Sequence, residues 1–444
     1  MHIVKSRTLG CGAAALAAAA ALLLGAGPAA AQTAPSDFRG LSDLFRASVQ
    51  LQRGATVIGQ SAYGFQSTDD AIDFLREENL RARFPTYTGR EAVTGTLDFR
   101  GVPVIGRYAE NSNQFIVDFP TIGERRVFNG LTRSQAYDAA DFYFDELPDG
   151  EAEDLIRRLL ASLAAFSPVD PLAGNPNSLQ GSLVRGGLDL TSPGGALEDD
   201  AGGGGAGAAN QDEPAWMIGA TYSDFTAGRF EGRRLDLRGE RSWRVGEGSR
   251  SRLKLDVPFT LTETEGASQV VGSVGLGYER PVIPGRWSLE PRVAYGAVVA
   301  PDLGSAGHMG SASLTSRYRI DGPGRGFAII GNMIGYTTTL PLDVDGTNYS
   351  PEVSNVVFRN GVAYQYPLNR MVSGRAASVR ASYTHTGFTG DELFLDSYHE
   401  LGLSFGVRGR EDSPRNAFEL FRLTGAYTFG DDYDSVTVGV GYRF

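Results

Sequence analysis

The stretch that decides the fold is Asp434-Ser-Val-Thr-Val-Gly-Val-Gly-Tyr-Arg-Phe444. With a period of two, Val436, Val438, Val440, Tyr442 and Phe444 fall on one face, and Ser435, Thr437, Gly439, Gly441 and Arg443 fall on the other. One face suits lipid and the other suits water. About ten alternating residues with an aromatic pair at one end have the length and girdle chemistry of a membrane-spanning β-strand.

Working backward, the alternation returns about every twenty residues. Leu401, Leu403, Phe405 and Val407 alternate with Glu400, Gly402, Ser404, Gly406 and Arg408; Leu253, Leu255, Val257, Phe259 and Leu261 alternate with Arg252, Lys254, Asp256 and Thr260. Strands are predicted over 215–223, 232–242, 251–261, 268–279, 286–298, 311–320, 326–337, 354–365, 376–386, 397–408, 417–429 and 434–444. The resulting fold class is an all-β transmembrane antiparallel barrel of about twelve strands over 214–444, an even count as single-chain barrels require. An even count puts both barrel ends in the periplasm. Compact Pro/Gly turns at 280–285 and 321–324, against longer stretches at 337–353 and 386–396, predict short periplasmic turns and long outer loops.

The face opposite the lipid carries charge. Its lumen-facing candidates are Arg292, Arg317, Arg319 and Arg359 in the middle strands, with Arg380, Glu400, Arg422 and Arg443 toward the end. Both signs occur and arginine is in excess, so pairing across a wet lumen is expected first and solute selectivity second.

Upstream, residues 1–31 have a basic start at Lys5 and Arg7, an apolar run from Ala13 to Leu24 and a small-residue ending, the pattern of a signal peptide. Cys11, the single cysteine, lies within it, so the mature chain is expected to hold no thiol, disulfide or Cys-based metal site. Residues 32–166 predict a small α+β domain. Helices are expected where Phe38, Leu41, Leu44, Phe45 and Val49 recur, and around Ala71, Ile72, Phe74 and Leu75 behind Ser67 and Thr68. Strands follow at 93–99, 102–108, 114–119 and 124–128, then a helix capped by Thr132 with Gln135, then a helix from Glu151 to Phe166. Residues 167–213, rich in Gly and Pro, are expected to be a flexible linker.

Chemistry is sparse. No His lies between residues 3 and 307, and the sequence has no nucleophile elbow, Walker lysine or zinc-protease helix, so no catalytic, cofactor-binding or metal residue is predicted. A pI near 5.0 and a formal charge of −11 argue against a nucleic-acid partner.

The ending Tyr442-Arg-Phe444 resembles the C-terminal signature of bacterial outer-membrane barrels, which implies that Tyr442 and Phe444 form an assembly signal read by the barrel-assembly machinery. Residues 214–444 as a whole resemble the twelve-stranded translocators of solitary autotransporter-like barrels. That family places a helix in the lumen just before the first strand, where Ala206 to Pro214 is a poor helix. The stretch Tyr383-Thr-His-Thr-Gly-Phe resembles the strand of outer-membrane phospholipases that carries a catalytic His385-type residue, although Gly387 stands where that family has Ser. The expectation is an autotransporter-like outer-membrane protein with a structural, display or translocation role and no enzymatic activity. The alternatives are a porin-like channel for small anionic solutes and an outer-membrane lipid hydrolase using His385. Outer-membrane lipids and lipopolysaccharide are the expected surroundings. The front domain is expected in the periplasm, with the cell surface as the alternative.

Overall fold

A computed structural model describes residues 44–65, 73–145, 151–193, 215–246, 250–303, 305–322, 326–344, 347–348, 350–372, 375–408 and 419–443. Its front part is a six-stranded antiparallel sheet in the order β2-β1-β3-β4-β5-β6. The strands are β1 (Phe45–Arg53), β2 (Thr56–Phe65), β3 (Ala92–Phe99), β4 (Val102–Tyr108), β5 (Phe115–Phe119) and β6 (Glu124–Phe128). Helices α1 (Glu77–Arg83), α2 (Arg133–Asp145) and α3 (Glu151–Phe166) accompany it.

Two predicted helices are corrected here. Phe45 and Val49 fit a helical period and a strand period equally well. The buried set Phe45, Ala47, Val49 and Leu51 follows the period of two, and β1 is hydrogen-bonded on both sides, to β2 and to β3. Phe38 and Leu41 lie outside the described residues, as do Ser67, Thr68, Ala71 and Ile72. Phe74 and Leu75 occupy only a single 3-10 turn, Asp73–Leu75, and the regular helix starts after it at Glu77. The other predicted elements form as read. Thr132 Oγ1 accepts from Gln135 N at 3.2 Å, while Gln135 Oε1 accepts from Leu131 N, so the reciprocal half of the cap is displaced by one residue.

The second part is a closed antiparallel barrel. Its first six strands are β7 (Ala215–Ala227), β8 (Phe230–Arg244), β9 (Arg252–Thr264), β10 (Ala267–Ile283), β11 (Trp287–Ala300) and β12 (Ser305–Asp321). After β13 (Phe327–Thr339), a two-stranded excursion, β14 (Asp343–Val344) with β15 (Thr347–Asn348), leaves the wall. The wall resumes with β16 (Ser354–Val372), β17 (Arg375–Gly390), β18 (Ser397–Arg408), β19 (Glu419–Gly430) and β20 (Tyr433–Arg443), and β20 pairs with β7 to close it. Every predicted barrel strand is present. Val436 and Val438 on the lipid face are 58 % and 55 % exposed, as an outward row in a bilayer requires. Tyr442 is outward too, and Phe444 lies outside the described residues.

Loop length does not distinguish the two barrel ends. The strands joined through 340–353 meet at the end that holds the β7–β8 turn, but β18 and β19, whose ten-residue connection lies outside the described residues, are joined at the other end, where β7 starts and β20 ends.

The largest departure from expectation is in the predicted linker. Residues 167–193 are almost wholly buried inside the barrel and include a helix, α4 (Leu179–Gly187). Such a Gly/Pro-rich segment cannot bury enough of its own surface to order itself. The barrel wall supplies the missing partner for Leu172, Leu179, Leu183, Leu188 and Leu190. The rest of the linker, including the poor helix at 206–214, lies outside the described residues.

Candidate functional site

The site is the barrel lumen with the segment that fills it. Inward glycines form sockets for successive plug side chains: a Cβ at Gly307 would stand 2.9 Å from Leu172, at Gly296 2.6 Å from Leu179, at Gly331 2.7 Å from Leu188, and at Gly361 2.8 Å from Leu190. Only a residue without a side chain permits approaches this close. Pro168 packs on Gly228 in the β7–β8 turn, and Pro193 reaches Gly439 well inside β20. The segment therefore enters at the end holding the β7–β8 turn and descends toward the end where Ala215 begins the wall.

The wall also holds the plug by its backbone. Gly187 closes α4, and the last carbonyl of a helix lacks an internal partner and carries the negative end of its dipole. Arg292 donates to Leu183 O at 3.5 Å, Thr315 to Gly187 O at 3.0 Å, Arg317 to Gly187 O at 3.5 Å, and Arg359 Nε to Leu188 O at 2.6 Å. Each of these arginines also meets a wall carboxylate: Arg292 with Asp256 at 2.8 Å, Arg317 with Glu290 at 2.6 Å and Arg359 with Glu400 at 2.5 Å. At the other end of α4, Ser178 caps Gly181 N, and Gln180 donates to Asn355 Oδ1 at 2.9 Å. Arg234 donates to Pro176 O at 2.9 Å.

The remaining lumen arginines engage the wall or the rim. Arg380 donates to Gln365 Oε1 at 2.6 Å and Arg422 to Ser404 Oγ at 2.8 Å, both fully buried. Arg319 sits at the rim, paired with Asp321 at 3.0 Å and stacked over Phe327 at 3.6 Å. Arg443 is buried. Sequence reasoning found the wall side of this site and missed the plug side, whose one signal was the recurrence of leucines from 172 to 190 within a segment of turn-forming residues. A cavity of about 110 Å³ remains beside α4, lined among others by Arg185, Asp189, Asp236, Glu400 and Tyr433.

The front domain caps the end at which the plug enters. Phe394 N and Leu395 N, in the β17–β18 connection, donate to Ala164 O and Gly174 O at 3.1 and 3.0 Å. Arg229 pairs with Asp98 at 2.7 Å, and the buried Arg100 faces Asp170 of the plug at 3.8 Å. One apolar cluster runs from Phe99 and Phe119 of the sheet into Phe225, Phe230, Leu303 and Tyr433 of the barrel.

His385 and His399 lie on the outward face of β17 and β18, stacked at 4.8 Å between ring centres, with Tyr383 Oη 2.9 Å from His399 Nδ1. Thr386, the hydroxyl next to His385, is on the other side of the wall, where it accepts from Arg359 at 2.5 Å. His385 Nδ1 has no hydrogen-bond partner among the described residues, so no nucleophile–base pair is assembled there. His308 lies on β12, with Nε2 2.8 Å from Pro341 O. Among the described residues no group of His, Cys and carboxylate side chains fits a metal ion.

No protein-family model and no curated protein matches the chain. Among solved structures, it is similar to the β domain of the Bordetella autotransporter Brka, at 15% identity and a TM-score of 0.36 over 52% of this chain and 100% of that one. It is similar to the translocator domain of the autotransporter NalP from Neisseria meningitidis, at 15% and 0.36 over 56% and 92%. A third is LpxR from Salmonella typhimurium, at 9% and 0.33 over 51% and 99%.

Proposed function

We propose that this chain is an outer-membrane, autotransporter-like barrel that displays its front domain at the cell surface and keeps the connecting segment in its lumen as a permanent plug. The observation that carries this reading is the path of residues 167–193. They enter beneath the front domain at one end of the barrel, while Ala215 and Arg443 lie at the other. With the two barrel termini on the periplasmic side, the capped end faces outward. The periplasmic placement expected from sequence assumed a tether joining the first strand directly, without passing through the lumen. The anion-channel alternative draws on lumen arginines, and three of these are engaged by plug carbonyls and wall carboxylates.

Protease added to intact cells tests the reading. Loss of the front domain with retention of a barrel-sized fragment is expected. Protection until the outer membrane is permeabilised would overturn it and return the domain to the periplasm.

A further inference from the structure

The barrel's outward surface is electrically lopsided along its axis. Near the capped end, Asp224, Glu231, Glu263 and Asp434 stand on the lipid-facing rows of β7, β8, β9 and β20 with Arg233 among them, a net negative rim. At the opposite end the rows carry Arg241 and Arg280, both exposed, and among the described residues neither has a carboxylate partner. All three tryptophans of the chain, Trp216, Trp243 and Trp287, are at this second end.

Arg241 has the most specific surroundings. It pairs across strands with Trp216, lies two residues from Trp243, and its guanidinium stands 5.0 and 6.0 Å from the two ring centres. Leu255 is its other cross-strand neighbour, so the arginine is set in an apolar wall. An arginine on the lipid face is costly at the bilayer midplane and is tolerated near the interface, where its head reaches phosphate. Tryptophan rings favour that same depth.

From this we infer that Arg241, framed by Trp216 and Trp243, is a binding site for the phosphate of an anionic glycerophospholipid. On the display reading, which supplies the orientation, this is the periplasm-facing leaflet. The guanidinium offers a planar fork to the phosphate oxygens, and the indoles hold it against the acyl–headgroup boundary. The carboxylate rim at the other end repels the same headgroup.

Because every tryptophan sits at this end, intrinsic fluorescence reports it alone. The full chain is reconstituted in phosphatidylcholine vesicles containing equal mole fractions of either brominated phosphatidylglycerol or brominated phosphatidylcholine as quencher. The wild type is expected to show about fivefold enrichment of the anionic quencher at the tryptophans, the effect of one arginine near an anionic surface. Arg241→Gln is expected to abolish the preference while keeping the heat-modifiable gel shift of an intact barrel, and Arg241→Lys to keep part of it. Equal quenching by both lipids in the wild type, an undiminished preference in Arg241→Gln, or displacement of the anionic quencher by added lipopolysaccharide would overturn the inference. A failure of the display reading leaves this result untouched, since the protease experiment probes the other end.

Discussion

Replacing Arg359 by Met removes the contact that ties the wall to the end of the plug helix. The guanidinium is fully buried and has three engagements: Leu188 O at 2.6 Å, Thr386 Oγ1 at 2.5 Å and Glu400 at 2.5 Å. Deleting one partner of a buried ion pair costs about 3–5 kcal/mol, because the other charge is left desolvated and uncompensated. In the unplugged state Glu400 meets water in the lumen, so the cost falls mainly on the plugged state, and the ratio of unplugged to plugged barrels should rise between about a hundredfold and a few thousandfold. Planar bilayers read this directly. Wild-type barrels are expected to sit at a silent baseline, and Arg359→Met to show conductance steps. Arg359→Met combined with Glu400→Met should return toward the baseline, since removing both charges eliminates the orphan. A silent single variant, or a double variant that conducts more than the single, would refute the claim that this pair holds the plug.

Glu91 gives a pH prediction for the front domain. Burial pushes its carboxyl up, but hydrogen bonds from Arg53 at 2.7 Å and from the Thr88 amide and hydroxyl at 2.9 Å each outweigh that and hold it at about 2. Its contribution is complete above the ordinary carboxylate value of 4.5 and is lost as pH falls toward 2. At neutral pH Glu91→Gln should cost about 1–2 kcal/mol, given screening at the exposed Arg53, measured by hydrogen exchange of β3 amides in the full chain. Gly331→Leu should push Leu188 out of its socket, costing about 1–3 kcal/mol, and raise conductance without changing the barrel's gel shift.

The barrel was legible because its signal is local. A strand with one face in lipid repeats every two residues whatever its neighbours do, and 397–408 was read to the residue. Extensions such as β16 running on to Val372 were missed, because beyond Gln365 the alternation gives way to Tyr-Pro-Leu-Asn. At β1, Phe45 and Val49 satisfy two periods, and only pairing with β2 and β3 selects one. The plug was illegible for a different reason. Leu179, Leu183 and Leu188 are too few to predict a buried helix, and the surface that buries them comes from residues more than a hundred positions away, such as Gly296, Met309 and Gly331. The lumen arginines were found, but their role could not be, since the carbonyls they bind carry no sequence signal.

Filling a lumen does not by itself require charge, and apolar side chains of the same volume would often be as stabilising as buried ion pairs. The distribution of contacts suggests what charge adds. Sliding a helix by one residue moves it 1.5 Å along its axis and turns it by about 100°. Such a slip would carry Leu183 O, Gly187 O and Leu188 O away from Arg292, Arg317 and Arg359 at once. It would also press Leu179 and Leu188 against wall that has side chains instead of the sockets at Gly296 and Gly331. The glycine sockets fix the leucines, and the three arginines already held by Asp256, Glu290 and Glu400 fix the carbonyls, so the two sets together accept the plug in a single register. That register seats the front domain against the barrel rim, where Asp98 meets Arg229 and Arg100 meets Asp170.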